Sequence, residues 1–178
     1  MDAAELLKNN TLIRWIIVGD GRKFDWLKQE VDRRSLSACV LLMGRFPVER
    51  MPSFYLHADA LLVSLKKDPV FSMTIPGKVQ SYLMAGIPLV GMLVGEGSKV
   101  ISDTNAGLVC AAGDSEGLAT AVLKMVSMNI EERRQLGSNG QAYAKKEFSR
   151  DLLINRLEGL LSEAVVTYNK RRLSHVSK

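Results

Sequence analysis

Long apolar runs are absent from this sequence, and so are most of the residue types that bind metals. No stretch approaches the roughly 18 consecutive apolar residues that a membrane-spanning helix requires. The N-terminal residues 1–10 also lack the basic-then-apolar order of a secretory signal, so we expect a cytoplasmic protein. The 2 histidines and 2 cysteines are too few and too scattered for a metal site.

Cysteine, aromatic and catalytic-looking residues are scarce as well. Cys39 and Cys110 each lie in an apolar, strand-like run, which favours buried free thiols over a disulfide or a metal pair. Aromatic residues make up only 6% of the chain, too few for the stacking platform of a nucleic-acid-binding protein. Asp20, Asp68 and Glu96 fall in predicted loops, where we expect turn or capping residues rather than a general base.

What is present is an ordinary globular composition with a basic end. The 178 residues, 47% of them hydrophobic and 24% charged, predict one packed domain. The net charge of +5 is concentrated partly in residues 168–178, which contain no acid. This basic tail could contact anionic lipid, although a solvated helix end is the more ordinary interpretation.

Short β-branched runs alternate with helical patterns along most of the chain. Strands are predicted at residues 11–18, 39–44, 60–65, 87–93 and 106–111. The alternation predicts an α/β fold with a Rossmann-like parallel sheet and helices on both faces, followed by a helical C-terminal segment. We assign residues 1–150 to a Rossmann-like domain and residues 151–178 to a C-terminal helix and basic tail. Because a helical pattern precedes the first strand, we expect a further strand upstream that this sequence does not contain.

Glycine-containing turns follow the first four predicted strands. They are Gly19-Asp20-Gly21, Gly44-Arg45-Phe46, and the loops at residues 66–78 and 95–99. Ligands of open parallel sheets bind outside the carboxyl ends of the strands, where such turns gather. The sequence therefore predicts a binding site at this edge.

The third turn leads into a short helix at residues 76–85 that has an unusual beginning. Pro76 is preset for a helix start, and the backbone N–H groups around Gly77 would lie at the positive end of the helix. Lys78 is unfavourable beside that end unless an anion is bound there. Together with Ser72 and Thr74, these groups point to a phosphate, while the alternative is that Lys78 simply extends into water.

The rest of this helix is expected to pack on the sheet. Val79, Tyr82 and Leu83 form an apolar face, and Gly86 provides a typical helix end.

Five segments, in this order, resemble the donor-binding C-terminal domain of the retaining family 4, or group 1, glycosyltransferases, which have the GT-B fold. They are "IIVGDG", "LMGRFPVERMPSFYLHADALLVS", "YLMAGIPLVG", "NAGLVCAAGDSEGLATAV" and "EERRQLGSNGQAYAKKEFS". The resemblance runs from about residue 11 to residue 150. It implies the donor-binding lobe of an enzyme that transfers a hexosyl or N-acetylhexosaminyl group from a nucleotide diphosphate-sugar.

The resemblance also implies where the donor substrate binds. Gly19 and Gly21 would form the turn beside the sugar-nucleotide, Gly44, Arg45 and Phe46 would lie near the base, and the loop at 72–78 near the diphosphate and sugar. The substrate-binding residues expected on this basis are Gly19, Gly21, Gly44, Arg45, Ser72, Thr74, Gly77, Lys78 and Ser81. We expect no cofactor and no obligatory Mg²⁺, because fixed donors can stabilise the diphosphate as it leaves.

The sequence departs from the family pattern at two positions and in its extent. Ser81 and Met73 stand where the family usually has two glutamates, the second of which meets the ribose. A serine bonds one hydroxyl at a time, whereas a carboxylate accepts two. The "TIPGK" and "YLMAG" segments resemble a subgroup that acts in bacterial surface-polysaccharide or glycolipid assembly.

The basic pair that grips the diphosphate in this family would lie upstream, as would the N-terminal acceptor domain. We therefore expect this acceptor domain as a partner and no turnover by the present chain alone. Peripheral contact with the cytoplasmic membrane surface is a further expectation, and nucleic acid is not expected as a partner.

Two other interpretations stay open from the sequence. A sugar-nucleotide epimerase of the GT-B type would need several carboxylates and a histidine around the sugar, and few are present. A non-enzymatic Rossmann-like or flavodoxin-like binding module is also compatible with the strand pattern, although a G-x-G-x-x-G turn is missing.

Overall fold

A computed structural model describes the backbone of residues 1–176 and the side chains of residues 1–168. The predicted basic tail, with Lys170, Arg171, Arg172 and Lys178, lies outside the described side chains. The described strands are β1 (Trp15–Val18), β2 (Val40–Gly44), β3 (Leu61–Ser64), β4 (Leu89–Met92) and β5 (Gly107–Cys110). The described helices are α1 (Asp2–Leu6), α2 (Phe24–Arg33), α3 (Met51–Leu56), α4 (Pro69–Ser72), α5 (Gly77–Ala85), α6 (Glu96–Asp103), α7 (Ser115–Ser127), α8 (Ile130–Glu147) and α9 (Arg150–Val176).

The strands are all parallel, as predicted, but they form two sheets. One sheet has the order β1-β2 and the other has the order β3-β4-β5. Ile16 pairs with Leu41 in the first sheet, and Val90 lies between Leu62 and Leu108 in the second. The α/β class with parallel strands flanked by helices is confirmed, whereas the expected single sheet is divided between β1 and β3.

The three-stranded sheet contains the best-packed core. Leu89 of β4 packs on one face with Val79 and Leu83 of α5 and with Ile101 of α6, and all four are 0% exposed. Val90 points to the other face and packs against α7. Because β4 is covered on both faces, it is a nearly continuous apolar run, as expected for a central parallel strand.

The two-stranded sheet is covered on only one face. Trp15, Ile17 and Val40 pack with α1 and α2. On the other face Ile16 is 51% exposed, Leu41 40% and Met43 41%. β1 also starts later than predicted, because the side chain of Asn10 accepts a hydrogen bond from the Leu12 amide and holds the preceding residues in a turn.

Two short helices connect the sheets, one on each face. Ala3 and Leu7, in and just after α1, pack in the cluster that contains α7, while Ala4 packs with α2 and β2. On the opposite face α3 makes edge-to-face aromatic contacts in both directions, from Phe54 to Phe46 and from Tyr55 to Tyr82. Both sheets are thus held in one framework although they are not hydrogen-bonded to each other.

The C-terminal helices end the fold. α8 begins with a capping box, in which the side chains of Asn129 and Glu132 each accept a hydrogen bond from the other residue's amide, and it packs on α5. The predicted C-terminal helix is present as α9, and many of its apolar side chains are exposed, including Leu157 and Leu160 at 56% and 65%. The described part of the chain contains no helix with the length and hydrophobicity of a membrane span.

Candidate functional site

The N-terminus of α5 is open toward solvent. Pro76 occupies the capping position with φ −59° and ψ 140°, and no side chain caps the helix. Among the described residues, no hydrogen bond partner is found for the amides of Gly77 and Lys78. At the other end Gly86 has φ +72°, the left-handed conformation that glycine adopts without strain. The predicted helix and its glycine end are confirmed.

The N-terminus of α6 lies directly beside that of α5. Gly95 precedes α6 with φ +82°, and no side chain caps this helix either. A Cβ on Gly95 would lie 1.9 Å from the carbonyl oxygen of Ser72, and one on Gly97 would lie 2.9 Å from Cδ of Pro76. The two loops therefore touch closely. Two positive helix ends meet at the carboxyl edge of β3 and β4, and together they could hold an anion.

Two lysines in these helices differ in their partners. Lys99 donates to Glu96 across 2.7 Å, and this bond raises the pKa of Lys99. Lys78 is exposed, and none of the ion pairs found among the described residues includes it. Of these two lysines, Lys78 is therefore the one that can reach a ligand without breaking an ion pair.

The hydroxyl groups before α5 are already used as donors. Ser72 donates to the carbonyl of Pro69 at 2.7 Å, and Thr74 donates to that of Val70 at 3.5 Å. The sequence predicts that these hydroxyls face outward as ligand donors, whereas both bond back into α4, and only their oxygens can still accept. Asp68 accepts from the Val70 amide at 2.8 Å, so it is the capping residue that the sequence predicted.

The first two predicted turns also come together. The Gly19 amide donates to the Gly44 carbonyl at 2.7 Å, and Arg45 lies 3.7 Å from Asp20. Gly19 and Gly21 line a cleft of about 320 Å³ beside the end of β1 and the start of α2. Because Arg45 is 82% exposed, its ion pair is weak and leaves the guanidinium accessible.

Helix α3 lies between the two pairs of turns. No hydrogen bond or ion pair in the described part of the chain joins Gly19–Lys23 or Gly44–Phe46 to the loops that precede α5 and α6. Instead, Phe46 contacts Phe54 at 4.9 Å between ring centroids, and Tyr55 contacts Tyr82 at 5.4 Å. Burial, with a smaller effect from Tyr55, raises the pKa of Tyr82, so its hydroxyl stays neutral.

A protein-family model matches most of the chain. The family model described as "Glycosyl transferases group 1" matches residues 1–128.

The chain belongs to the group 1 glycosyltransferases.

Individual relatives of this group 1 chain agree with the family assignment. It is 24% identical over 144 residues to the N-acetyl-α-D-glucosaminyl L-malate synthase of Bacillus anthracis, covering 80% of this chain and 35% of the relative. The crystal structure of Anabaena HepE in complex with UDP-glucose superimposes with a TM-score of 0.76 at 19% identity, covering 90% of this chain and 44% of HepE.

A third similar structure contains only a C-terminal domain. The C-terminal domain of the group 1 glycosyltransferase LpcC from Francisella tularensis gives a TM-score of 0.65 at 16% identity, covering 84% of this chain and 77% of that domain. These likenesses confirm the predicted fold. The chain spans less than half the length of the malate synthase and of HepE.

At the two positions where the resemblance implies glutamates, the chain has Ser81 and Met73. The Ser81 hydroxyl donates to the Gly77 carbonyl at 3.0 Å within α5, and the residue is exposed. Met73 is 70% exposed.

The close contact that Gly95 and Gly97 allow between the loops before α5 and α6 was not predicted from the sequence. Their loop was predicted at the ligand edge, but neither glycine was included among the substrate-binding residues. The available sequence signal was a G-x-G at the start of a helix, with Gly95 at the cap and Gly97 in the first turn, which indicates a close backbone approach. Among the described residues no group of three histidine, cysteine or carboxylate side chains could hold a metal ion.

Proposed function

We propose that this domain binds the diphosphate of a nucleoside diphosphate-sugar at the adjoining N-termini of α5 and α6. The observation that carries the proposal is the contact between these two uncapped helix ends beside Lys78. The free amides and the ammonium group supply donors for phosphate oxygens, and the helix ends favour the negative charge.

The remaining predicted residues fit the other parts of such a ligand. Gly44 and Arg45 would border the base, Gly19 and Gly21 would form the turn beside the sugar-nucleotide, and Ser81 would meet the ribose. HepE has been solved with UDP-glucose, and the name of the malate synthase relative contains an N-acetylglucosaminyl group. These names support a UDP-linked hexose or N-acetylhexosamine as donor.

We further propose that the whole protein transfers this sugar to an acceptor held by a second domain, in bacterial polysaccharide or glycolipid assembly. As the glycosidic bond to the donor breaks, charge grows on the leaving diphosphate. The fixed amides and Lys78 would stabilise that charge without reorganisation. We expect nucleotide binding to persist in EDTA, because these protein donors would replace a metal ion.

The acceptor domain is the partner that this proposal requires. The exposed apolar side chains of α9, among them Leu157 and Leu160, support a contact beyond the described residues. The present chain alone is expected not to turn over substrate. Contact with a membrane surface stays a prediction.

Calorimetric titration with UDP, GDP and ADP tests the binding proposal. We expect one nucleotide to saturate the site and the Lys78→Ala variant to weaken it by about 10- to 100-fold, as for loss of a charge-assisted hydrogen bond. Lys124→Ala is the matched control, because Lys124 is also exposed but lies on α7. Equal affinity in both variants, or no binding by either this chain or the longer protein, would contradict the proposal.

A further inference from the structure

Gln80 is half-buried in α5, and its side chain points back toward the start of this helix. Its Nε2 donates to the carbonyl oxygen of Ile75 at 3.3 Å. Side chains in a helix lean toward its N-terminus, so a residue four positions after the capping Pro76 reaches the preceding loop. This hydrogen bond therefore spans the helix end at which the free amides lie.

The loop before α5 has few other bonds that hold its backbone. No backbone–backbone hydrogen bond in the described part of the chain includes Thr74 or Ile75. The beginning of the loop is fixed, because the Ser72 carbonyl lies directly against the loop before α6. Among the described residues, Gln80 is thus the only hydrogen bond donor to the Ile75 carbonyl.

The segment Ile75-Pro76-Gly77-Lys78 also has the sequence of a type II β-turn. Such a turn needs φ of about −60° and ψ of about +120° at its second residue, where proline is common, and a positive φ at its third, where glycine is preferred. Pro76 already has φ −59° and ψ 140°. Gly77, in contrast, is the first residue of α5 and is not among the glycines with positive φ. A change at Gly77 would complete the turn.

Formation of this turn would close the proposed anion site. In a type II turn the amide of the fourth residue donates to the carbonyl of the first, so the Lys78 amide would bond to the Ile75 carbonyl. The Lys78 amide has no hydrogen bond partner among the described residues, and it is one of the donors that we assign to the phosphate. In the structure the same carbonyl instead accepts from Gln80.

We propose that Gln80 is a positioning residue that keeps the N-terminus of α5 open for an anion. Its hydrogen bond to Ile75 favours the helical conformation of Gly77 over the turn and so keeps the Lys78 amide free. Without this donor, part of the population adopts the turn, and the affinity for an anion falls accordingly. The effect on nucleotide binding rests on the proposed function, whereas the effect on the backbone does not.

Two substitutions in the full chain test the role of Gln80. Gln80→Met keeps the length of the side chain and removes the donor. Gly77→Ala opposes the turn, because alanine is strained at a positive φ and favours a helix more than glycine does. A Cβ at Gly77 meets no atom within 4 Å, so the open conformation accepts this change. The double variant completes a cycle that measures the coupling between the two positions.

The first measurement is amide hydrogen exchange at Lys78 by NMR, without nucleotide. We expect Gln80→Met to slow this exchange by about threefold or more, because the turn protects the amide. In the Gly77→Ala background the same substitution should leave the rate unchanged. The amide of Leu83, in the buried face of α5, is the folding control. If Leu83 loses its protection in Gln80→Met, Gln80→Ala provides the same test.

The second measurement is calorimetric titration of the same four forms with UDP. We expect Gln80→Met to weaken binding by about 3- to 10-fold in the otherwise unchanged chain. When residue 77 is already alanine, the same substitution should change the affinity by less than about twofold, because the turn is then disfavoured. A merely structural role of Gln80 would instead lower the affinity equally in both backgrounds.

The two measurements separate this proposal from the proposed function. Unchanged exchange at Lys78 in Gln80→Met, with Leu83 protected, would overturn the role of Gln80 whatever the chain binds. Equal slowing or an equal loss of affinity in the Gly77→Ala background would also overturn it, because the turn would then not be the cause. The expected exchange rates, together with no UDP binding by any form or by the longer protein, would support the role of Gln80 and contradict the proposed function alone.

Discussion

The two halves of the proposed binding edge differ in how firmly the rest of the domain holds them. Behind the N-termini of α5 and α6 stands a three-stranded sheet whose Leu89 is fully buried together with Leu83 of α5. Behind the turns that contain Gly19 and Gly44 stands a two-stranded sheet whose second face is open. The half with the paired helix ends is therefore backed by a closely packed core, whereas the other half is backed by a sheet that the described residues cover on one face only.

Truncation of core side chains should give the largest difference in the free energy of unfolding between the two halves. Leu83 is 0% exposed, so Leu83→Ala should lower the free energy of unfolding by about 2–5 kcal/mol. Leu41 is 40% exposed in the other sheet, and Leu41→Ala should cost less than about 1 kcal/mol. Urea denaturation of both variants measures the difference, and equal losses would refute the contrast.

Glycine substitutions should give the next largest effect on the free energy of unfolding. Gly95 combines φ +82° with a backbone contact, so Gly95→Ala should cost about 2–4 kcal/mol through strain and overpacking. Gly21 has open space around it, and Gly21→Ala should change stability by less than about 0.5 kcal/mol. Thermal unfolding checks both values. A stable Gly95→Ala variant would show that the loops before α5 and α6 are not locked together.

The smallest effect, a change in UDP affinity, is expected at the proposed ribose position. Ser81→Glu replaces one exposed acceptor with a carboxylate, which should tighten UDP binding by about tenfold if it reaches both ribose hydroxyls. Calorimetry with 2′,3′-dideoxy-UDP is the control, because this ligand lacks the hydroxyls and should gain nothing. An equal gain for both ligands would place the ribose elsewhere.

Local sequence signals predicted α5 well. Pro76 and Gly86 mark its ends, and the spacing of Val79, Tyr82 and Leu83 identifies its buried face. Both thiols are free, as predicted, but only Cys39 is buried, whereas Cys110 is half-buried. Burial, together with nearby Asp114, raises the pKa of Cys110, so this thiol is poorly reactive at neutral pH.

Long-range features could not be predicted in the same way. The contact of Gly95 with Ser72 joins loops that follow different strands, and no local pattern indicates it. The division of the sheet also depends on which strands are neighbours, which periodicity does not determine. The four-residue helix α4 was missed because it is shorter than any periodic pattern, although its cap Asp68 was identified as a capping or turn residue.

Backbone NMR of the chain during titration with UDP tests the central claim most directly. We predict that the largest amide shifts occur at Gly77, Lys78, Gly97 and Ser98, at the first turns of α5 and α6. The Lys78→Ala variant should reduce these shifts at equal UDP concentration, and Lys124→Ala should not. Saturable shifts confined to other parts of the domain, with these four amides unchanged, would contradict the account.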